Sequence, residues 1–280
     1  MMRLGRLFGH GRSPGRPSLP DNYLLYAIGD IHGRDDLLVD LLAKIDVDSS
    51  SRPASTRILV FLGDFIDRGP SSAEVIERLR SYRAPRTRLV FLTGNHEEVL
   101  LRILDGEKAL VADWLRFGGA ECLQSYGVNP ARLRRMPPEQ ATATVRSAIP
   151  PTHVEFLRGL DDSFRAGDYL FVHAGIRPGV PLAEQAVSDL RWIREPFLAD
   201  RADHGFVVVH GHTIRQQVED TGNRIGIDTG AYRFGVLTAL GLQGADRWYL
   251  QATAGKSNHP APPGNRKTTS ALDAVSSQSG

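Results

Sequence analysis

The sequence predicts an α/β (α+β) fold of two stacked mixed β-sheets flanked by helices, with a helical insertion over one end of the first sheet. Three observations carry that expectation. Short apolar runs alternate with helical stretches over the first hundred residues. A segment at about 98–160 has helical periodicity and no strand-like run. Strand-like runs then crowd together between 169 and 251, closely enough to suggest a second sheet of mixed or antiparallel strands.

The elements follow in order. Residues 23–28 form an apolar run that ends at Gly29-Asp30. A helix comes next, because Leu37, Leu38, Leu41, Leu42 and Ile45 recur at the 3.6-residue period of one helical face. Residues 58–62 form a second run, ending at Gly63-Asp64, and a helix follows at about 71–82. A third run at 89–92 leads into Gly94-Asn95-His96-Glu97. Such a βαβαβ series predicts mostly parallel strands buried on both faces. In the insertion, helical stretches are expected around 98–105, 109–117, 138–148 and 152–159. Strands are expected again at 169–173, 206–210, 224–228, 235–242 and 247–251.

Composition narrows the classes. The chain has 280 residues, 41% hydrophobic and 24% charged, which is ordinary for a folded protein and excludes global disorder. It has no apolar run of the roughly 20 residues that cross a bilayer. One cysteine, Cys122, makes no internal disulfide and fits a reducing cytoplasm. Residues 1–20 carry four arginines and no acid, and with a C-terminal excess of +2 they leave the body at −4 within a total of +2. A nucleic-acid-gripping body is therefore not expected. Residues 1–21 are expected to be a disordered basic arm, 22–252 a single domain, and 253–280 a disordered tail. The alternative for the arm, a non-catalytic module that binds nucleic acid or membrane, would require a broken ligand set elsewhere.

The polar residues at the strand ends carry the chemistry. Asp30 and His32 follow the first run, and Asp64, Asp67 and Arg68 the second. Asn95 and His96 follow the third, His173 a fourth and His212 a fifth. The carboxyl ends of parallel neighbours lie side by side, so these residues converge across the sheet. Asp, His and Asn without a thiolate suit a first-row divalent ion. Six such side chains exceed what one ion with an open position needs, so two ions are expected, with the Asp64 carboxylate between them. Any one of these residues alone would be an ordinary polar strand end. Five glycine-flanked strand ends together are not.

Other residues have bland readings. His10 and His259 lie in the tails, His153 and His204 read as surface residues, His210 as structural, and Cys122 as a small buried hydrophobe. Neither a phosphate-binding Gly-x-x-x-x-Gly-Lys-Ser/Thr loop nor a dinucleotide-binding Gly-x-Gly-x-x-Gly turn after a strand is present.

As a set, Gly-Asp-x-His-Gly, Gly-Asp-x-x-Asp-Arg-Gly, Gly-Asn-His-Glu, His-Ala-Gly and Gly-His-Thr resemble the phosphoprotein phosphatase family within the calcineurin-like metallophosphoesterases. The match runs from about 24 to 231. Its flavour is bacterial and phage, similar to phage protein phosphatases and bacterial symmetrical diadenosine-tetraphosphatases, with Trp192-Ile-Arg-Glu and Ile227-Asp-Thr-Gly as shared details.

The resemblance implies that Asp30, His32 and Asp64 hold one metal and that Asp64, Asn95, His173 and His212 hold the other. It also implies that His96, oriented by Asp67, is the general acid, and that Arg68 and Arg194 grip phosphate. Manganese is the expected metal, with iron, zinc or cobalt as alternatives. The expected activity is phosphomonoester hydrolysis on phosphoserine or phosphothreonine in protein, by in-line attack of a hydroxide shared by two metals. The alternative is symmetrical cleavage of diadenosine tetraphosphate to ADP, with the insertion accommodating the bases. Where related phosphodiesterases have Gly-His-x-His, Ile214 stands in place of the last histidine.

Overall fold

The structure, a computed structural model, describes residues 4–7, 15–54 and 56–255. Eleven strands are present among them: β1 (Leu4–Leu7), β2 (Tyr23–Ile28), β3 (Thr56–Phe61), β4 (Thr87–Phe91), β5 (Ser163–Ala166), β6 (Tyr169–Val172), β7 (Val207–His210), β8 (Glu219–Asp220), β9 (Arg224–Gly226), β10 (Val236–Gln243) and β11 (Asp246–Thr253). They form two mixed sheets, ordered β11-β10-β2-β3-β4 and β1-β5-β6-β7-β9-β8. Strands β2, β3 and β4 are parallel, and the hairpin β10–β11 closes the first sheet antiparallel to β2.

The two-residue alternation of the strands sorts side chains into layers. Leu25, Ala27, Ile58 and Val60 face inward and meet Phe164, Phe171, Val207 and Val209 of the other sheet. The alternate set, Leu24, Tyr26, Ile28, Leu59 and Phe61, packs on helices α1 (Asp35–Ser50), α2 (Ser72–Ser81) and α3 (Asn95–Leu104). The predicted stripe Leu37, Leu38, Leu41, Leu42 and Ile45 is the buried face of α1. A third cluster, with Leu170, Val172, Leu190 of helix α9 (Val187–Trp192) and Phe197, covers the outer face of the second sheet. Each fully buried large aliphatic contributes about 1.5–3 kcal/mol relative to exposure.

Between Phe91 and Ser163 the chain makes no strand. Its helices there are α3, α4 (Val111–Trp114), α5 (Ala120–Ser125), α6 (Pro130–Leu133), α7 (Pro138–Ala148) and α8 (Pro151–Arg158). The stretch expected to be helical at 109–117 is helical throughout, and Gly118, at φ 117°, turns the chain just beyond it, before α5.

Within the basic arm, residues 4–7 form β1, which runs parallel to β5, pairing Leu4 with Ser163 and Leu7 with Ala166. The Ser18 N–H donates to Asp168 at 3.0 Å, the Leu19 N–H donates to the Gly244 carbonyl at 2.9 Å, and Leu19 is buried. Backbone pairing to the otherwise open edge of β5 needs no apolar side chains. One expectation is corrected: His153 is no surface residue; it is buried, with the Tyr126 hydroxyl 2.9 Å from Nδ1 and Glu77 3.1 Å from Nε2. His204 is half-buried beside Asp200. His210 and Cys122 are buried, as their bland readings held. His10, His259 and residues 256–280 lie outside the described residues.

Candidate metal centre

The carboxyl ends of β2, β3, β4, β6 and β7 deliver the expected residues to one place. Asp64 is the hub. Its Oδ2 lies 3.5 Å from His32 Nε2, and its Oδ1 lies 3.4 Å from His173 Nε2. Asn95 Oδ1 stands 3.0 Å from both His173 Nε2 and His212 Nδ1. Two groups close to within 4.8 Å: His32, Asp64 and His96, and Asp64, His173 and His212. Asp30 joins neither group; its Oδ2 accepts the His212 N–H at 3.0 Å, and its Oδ1 is buried without a partner.

The hydrogen-bond pattern fixes the imidazole tautomers. His32 Nδ1 lies 2.9 Å from the Ile66 carbonyl, and His173 Nδ1 2.9 Å from the Leu62 carbonyl. A carbonyl only accepts, so each Nδ1 carries the hydrogen and each Nε2 is left with its lone pair, that of His173 close to Asp64. At His173, the lone pairs of an imidazole, a carboxylate and an amide oxygen therefore face one another inside the protein. Such an arrangement is repulsive until a cation stands among the acceptors.

The titration states agree with that geometry. Burial, then the charge of Arg68, pushes His32 well below its usual range. Burial lowers His173, and burial with Arg194 lowers His212. Neutral imidazole is the ligating form. Burial, reinforced by the charges of Asp228 and Asp64, pushes Asp30 well above the ordinary carboxylate range. Burial brings Asp228 up to about 6. Crowded buried carboxylates of this kind are relieved by a positive ion. The donor set thus fits divalent cations.

Backbone strain concentrates here. His32, Asp64, Asp67, Arg68 and His212 all sit at positive φ, between 46° and 72°. Each costs on the order of 1–3 kcal/mol and persists only where the surroundings over-determine it. Glu97 supplies much of that constraint: its carboxylate accepts the N–H groups of Asp64 (2.9 Å), Phe65 (2.8 Å), Ile66 (3.3 Å) and Gly94 (2.9 Å). Burial and the Asp64 charge push Glu97 up to about 8, against those donors. Two glycines are sterically required, since a Cβ on Gly94 would strike Asp64 and one on Gly211 would strike Asp30.

Beside the cluster, the His96 Nδ1–H donates to Asp67 Oδ2 at 2.6 Å, leaving Nε2 3.9 Å from Asp64 Oδ2. The same Asp67 oxygen accepts the Trp114 indole N–H at 2.9 Å, and the Arg68 N–H donates to the Gly118 carbonyl at 3.0 Å. The insertion therefore grips the two residues that flank His96 and the cavity. Arg68 also donates from Nη1 to His32 Nε2 at 3.0 Å and lies 4.8 Å from the centroid of the Tyr232 ring. A cavity of about 220 Å³ opens over the cluster, lined by Asp64, Arg68, Asn95, Arg194, His212, Thr213, Ile214 and Tyr232. No insertion residue lines it.

All ten residues singled out from the sequence lie in this region, Asp30 beside the two tight groups through its bond to the His212 N–H. Glu97, Asp228, Trp114 and Tyr232 were given no role by sequence reasoning. Glu97 stood inside a quoted motif and Asp228 inside another, but a carboxylate that bonds four backbone N–H groups has no sequence signature beyond its type.

Among known proteins, a symmetrical bis(5'-nucleosyl)-tetraphosphatase of Janthinobacterium sp. is 29% identical over 281 aligned positions, covering 84% of this chain and 98% of the relative. An asymmetrical bis(5'-nucleosyl)-tetraphosphatase of Anoxybacillus flavithermus is 30% identical, covering 76% and 88%. A solved structure described as a candidate diadenosine tetraphosphatase superposes with TM-score 0.59 at 21% identity, covering 84% of this chain and 96% of its own. A protein serine/threonine phosphatase from Saccharomyces cerevisiae superposes at 0.51 and 16%, over 88% and 87% of the two chains, a likeness of fold. Among the described residues no helix is long and apolar enough to cross a membrane. The sequence model of the calcineurin-like phosphoesterases matches residues 23–237, and the chain belongs to that family of phosphoester hydrolases.

Proposed function

We propose that the chain hydrolyses dinucleoside tetraphosphates symmetrically, adding water across the central P–O–P linkage of diadenosine tetraphosphate to give two ADP. The observation that carries the chemistry is the meeting of acceptor lone pairs from His173, Asp64 and Asn95 beside a cavity lined by two arginines. The substrate class rests on the relatives, whose names are tetraphosphatases and one of which aligns over nearly its whole length. This reverses the order of the two readings drawn from the sequence, where phosphoprotein stood first.

Asp30, His32 and Asp64 would hold one divalent ion, and Asp64, Asn95, His173 and His212 the other; nitrogen and oxygen donors suit Mn²⁺. Bound there, the ions would supply an activated water and neutralise phosphate charge. The protein's own groups do the rest. Arg68 and Arg194 bind and orient phosphoryl oxygens at the cavity wall. Asp67 holds the His96 ring through Nδ1, so that a proton on Nε2 can pass to the departing oxygen.

The His96–Asp67 pair also favours a second reading, phosphomonoester hydrolysis of phosphoserine or phosphothreonine. A serine alkoxide needs a proton donor far more than ADP does, because ADP leaves as a stable anion. One panel on Mn²⁺-loaded protein decides between them, with diadenosine tetraphosphate, a phosphopeptide and an aryl phosphate as substrates. The expected outcome is a higher kcat/KM on the dinucleotide, with ADP as sole nucleotide product. Phosphate release from the peptide with the dinucleotide left intact would reverse the order. ATP plus AMP as products would make the cleavage asymmetrical.

A further inference from the structure

The cavity over the cluster, about 220 Å³, is smaller than the roughly 300–1,000 Å³ of pockets that enclose a drug-sized ligand. It can take phosphoryl groups, and a nucleoside must then lie on its rim. The sequence reading assigned the bases to the insertion, yet the cavity wall contains no insertion residue. Its apolar part is Ile214 and Tyr232, which leads onto the short helix α10 (Ala231–Phe234).

Phe234 ends that helix with its ring 41% exposed, one of four large hydrophobic residues so exposed among the described residues. Phe234 and Ile214 flank Gly230 together: a Cβ placed there would be 2.7 Å from Phe234 Cδ2 and 3.2 Å from Ile214 Cγ2. The exposed ring is thus continuous with the apolar wall of the cavity. The Arg68 guanidinium lies over the Tyr232 ring, 4.8 Å from its centroid, and the exposed Arg233 guanidinium lies 5.3 Å from the centroid of Phe234, where a base would have to displace it. The mount is stiff. Gly230 and Gly235 bracket α10 at φ 73° and 68°, the Phe234 N–H donates to the Gly230 carbonyl at 2.7 Å, and the Gly230 N–H donates to Asp228 at 3.0 Å.

We propose that Phe234, backed by Ile214, is a stacking platform for the purine base of the nucleotide whose phosphates enter the cavity. The proposal rests on the dinucleotide reading for the identity of the ligand and on this geometry for its place. A planar base gains dispersion and burial from a fixed aromatic ring, about 1–3 kcal/mol per stacked base in single-strand binding. The arginines of the cavity grip the adjoining phosphates, so base and phosphate contacts reinforce one another.

The test compares ADP with methyl diphosphate by calorimetry on full-length protein in excess Mn²⁺. The two probes carry the same esterified diphosphate and charge and differ by the nucleoside. Wild type is expected to bind ADP on the order of tenfold more tightly than methyl diphosphate. Phe234→Ala removes that advantage and Phe234→Tyr restores it, with melting temperatures recorded to show that both variants are folded. The proposal is overturned if wild type binds the two probes equally, or if Phe234→Ala keeps the ADP advantage. Its failure is separable from failure of the dinucleotide reading. Cleavage of the dinucleotide with no ring effect removes only the platform; an ADP advantage lost in Phe234→Ala, without dinucleotide cleavage, removes only the substrate assignment.

Discussion

Five non-glycine residues of the strand-end loops adopt left-handed backbone, while in the insertion every positive φ falls on a glycine: Gly106, Gly118 and Gly127. Buried polar groups divide the same way. The loops bury Asp30, His32, Asp64, Asp67, Asn95, His96, Glu97, His173 and His212; the insertion buries Thr142 and His153 beneath a leucine-rich face. One region carries strain and crowded charge that only a mesh of hydrogen bonds sustains. The other is relaxed amphipathic packing. The difference teaches where the stability of the fold is spent on chemistry, and it implies that damage to the two regions should separate into lost function and lost stability.

The sharpest break is Asp64→Asn. Asparagine keeps the size and removes the charge between His32 and His173. Supporting residues around a metal typically cost 10–100-fold in affinity when removed, and a shared ligand should cost more. The expected result is loss of at least one ion by elemental analysis, and activity falling with it. Unchanged metal content would break the contrast at its centre.

His96→Ala comes next. It should keep its metal content and lose about 10²–10⁴ in kcat where the leaving group is a poor one. On an aryl phosphate or a dinucleotide, whose departing anions are stable, the loss should be smaller. Equal losses on all substrates would make His96 a structural or ligating residue.

What the sequence made legible divides along the same line. The gathering of Asp30, His32, Asp64, Asn95, His173 and His212 was legible because strand ends converge in a parallel sheet. Strand β2 was visible as an unbroken apolar run and the buried face of α1 through its periodicity. Short pieces escaped. Strand β5 holds Phe164 and little else that is apolar, β8 is two acidic residues, and β1 is four residues, Leu-Gly-Arg-Leu, set by edge pairing. The role of Glu97 escaped because four backbone N–H groups converge on it only after the loops have folded. The order of substrates escaped because the motifs describe how a phosphate is held, and leave open what the phosphate is attached to.

One seam between the regions is Trp114, which reaches from α4 to Asp67 beside the Arg68 N–H bond to the Gly118 carbonyl. Trp114→Phe keeps most of the packing and deletes one hydrogen bond to a carboxylate, worth about 1.5–3 kcal/mol. Asp67 would still accept from His96, but with less constraint on its position. The expected cost is about tenfold in kcat, larger on the phosphopeptide than on the aryl phosphate, because only the former depends on the proton that His96 delivers. A uniform loss on both substrates would mean that Trp114 acts through general packing alone.

Farther from the seam the insertion should tolerate injury without touching chemistry. Leu157 of α8 is 1% exposed and belongs to the cluster on the outer face of the first sheet. Leu157→Ala removes buried methyl groups and leaves a cavity, at a typical cost of 2–5 kcal/mol. In a domain of this size each kcal/mol lowers the melting temperature by about 2–4 °C, so the shift is readily seen by calorimetry. Leu157 touches none of the hydrogen bonds that hold Asp67, Arg68 or Glu97, so kcat per folded molecule should stay within about twofold, below what 1 kcal/mol at the barrier would produce. If kcat fell in step with stability, the insertion would be part of the site's scaffold throughout, and the division between a strained site and a relaxed cover would not stand.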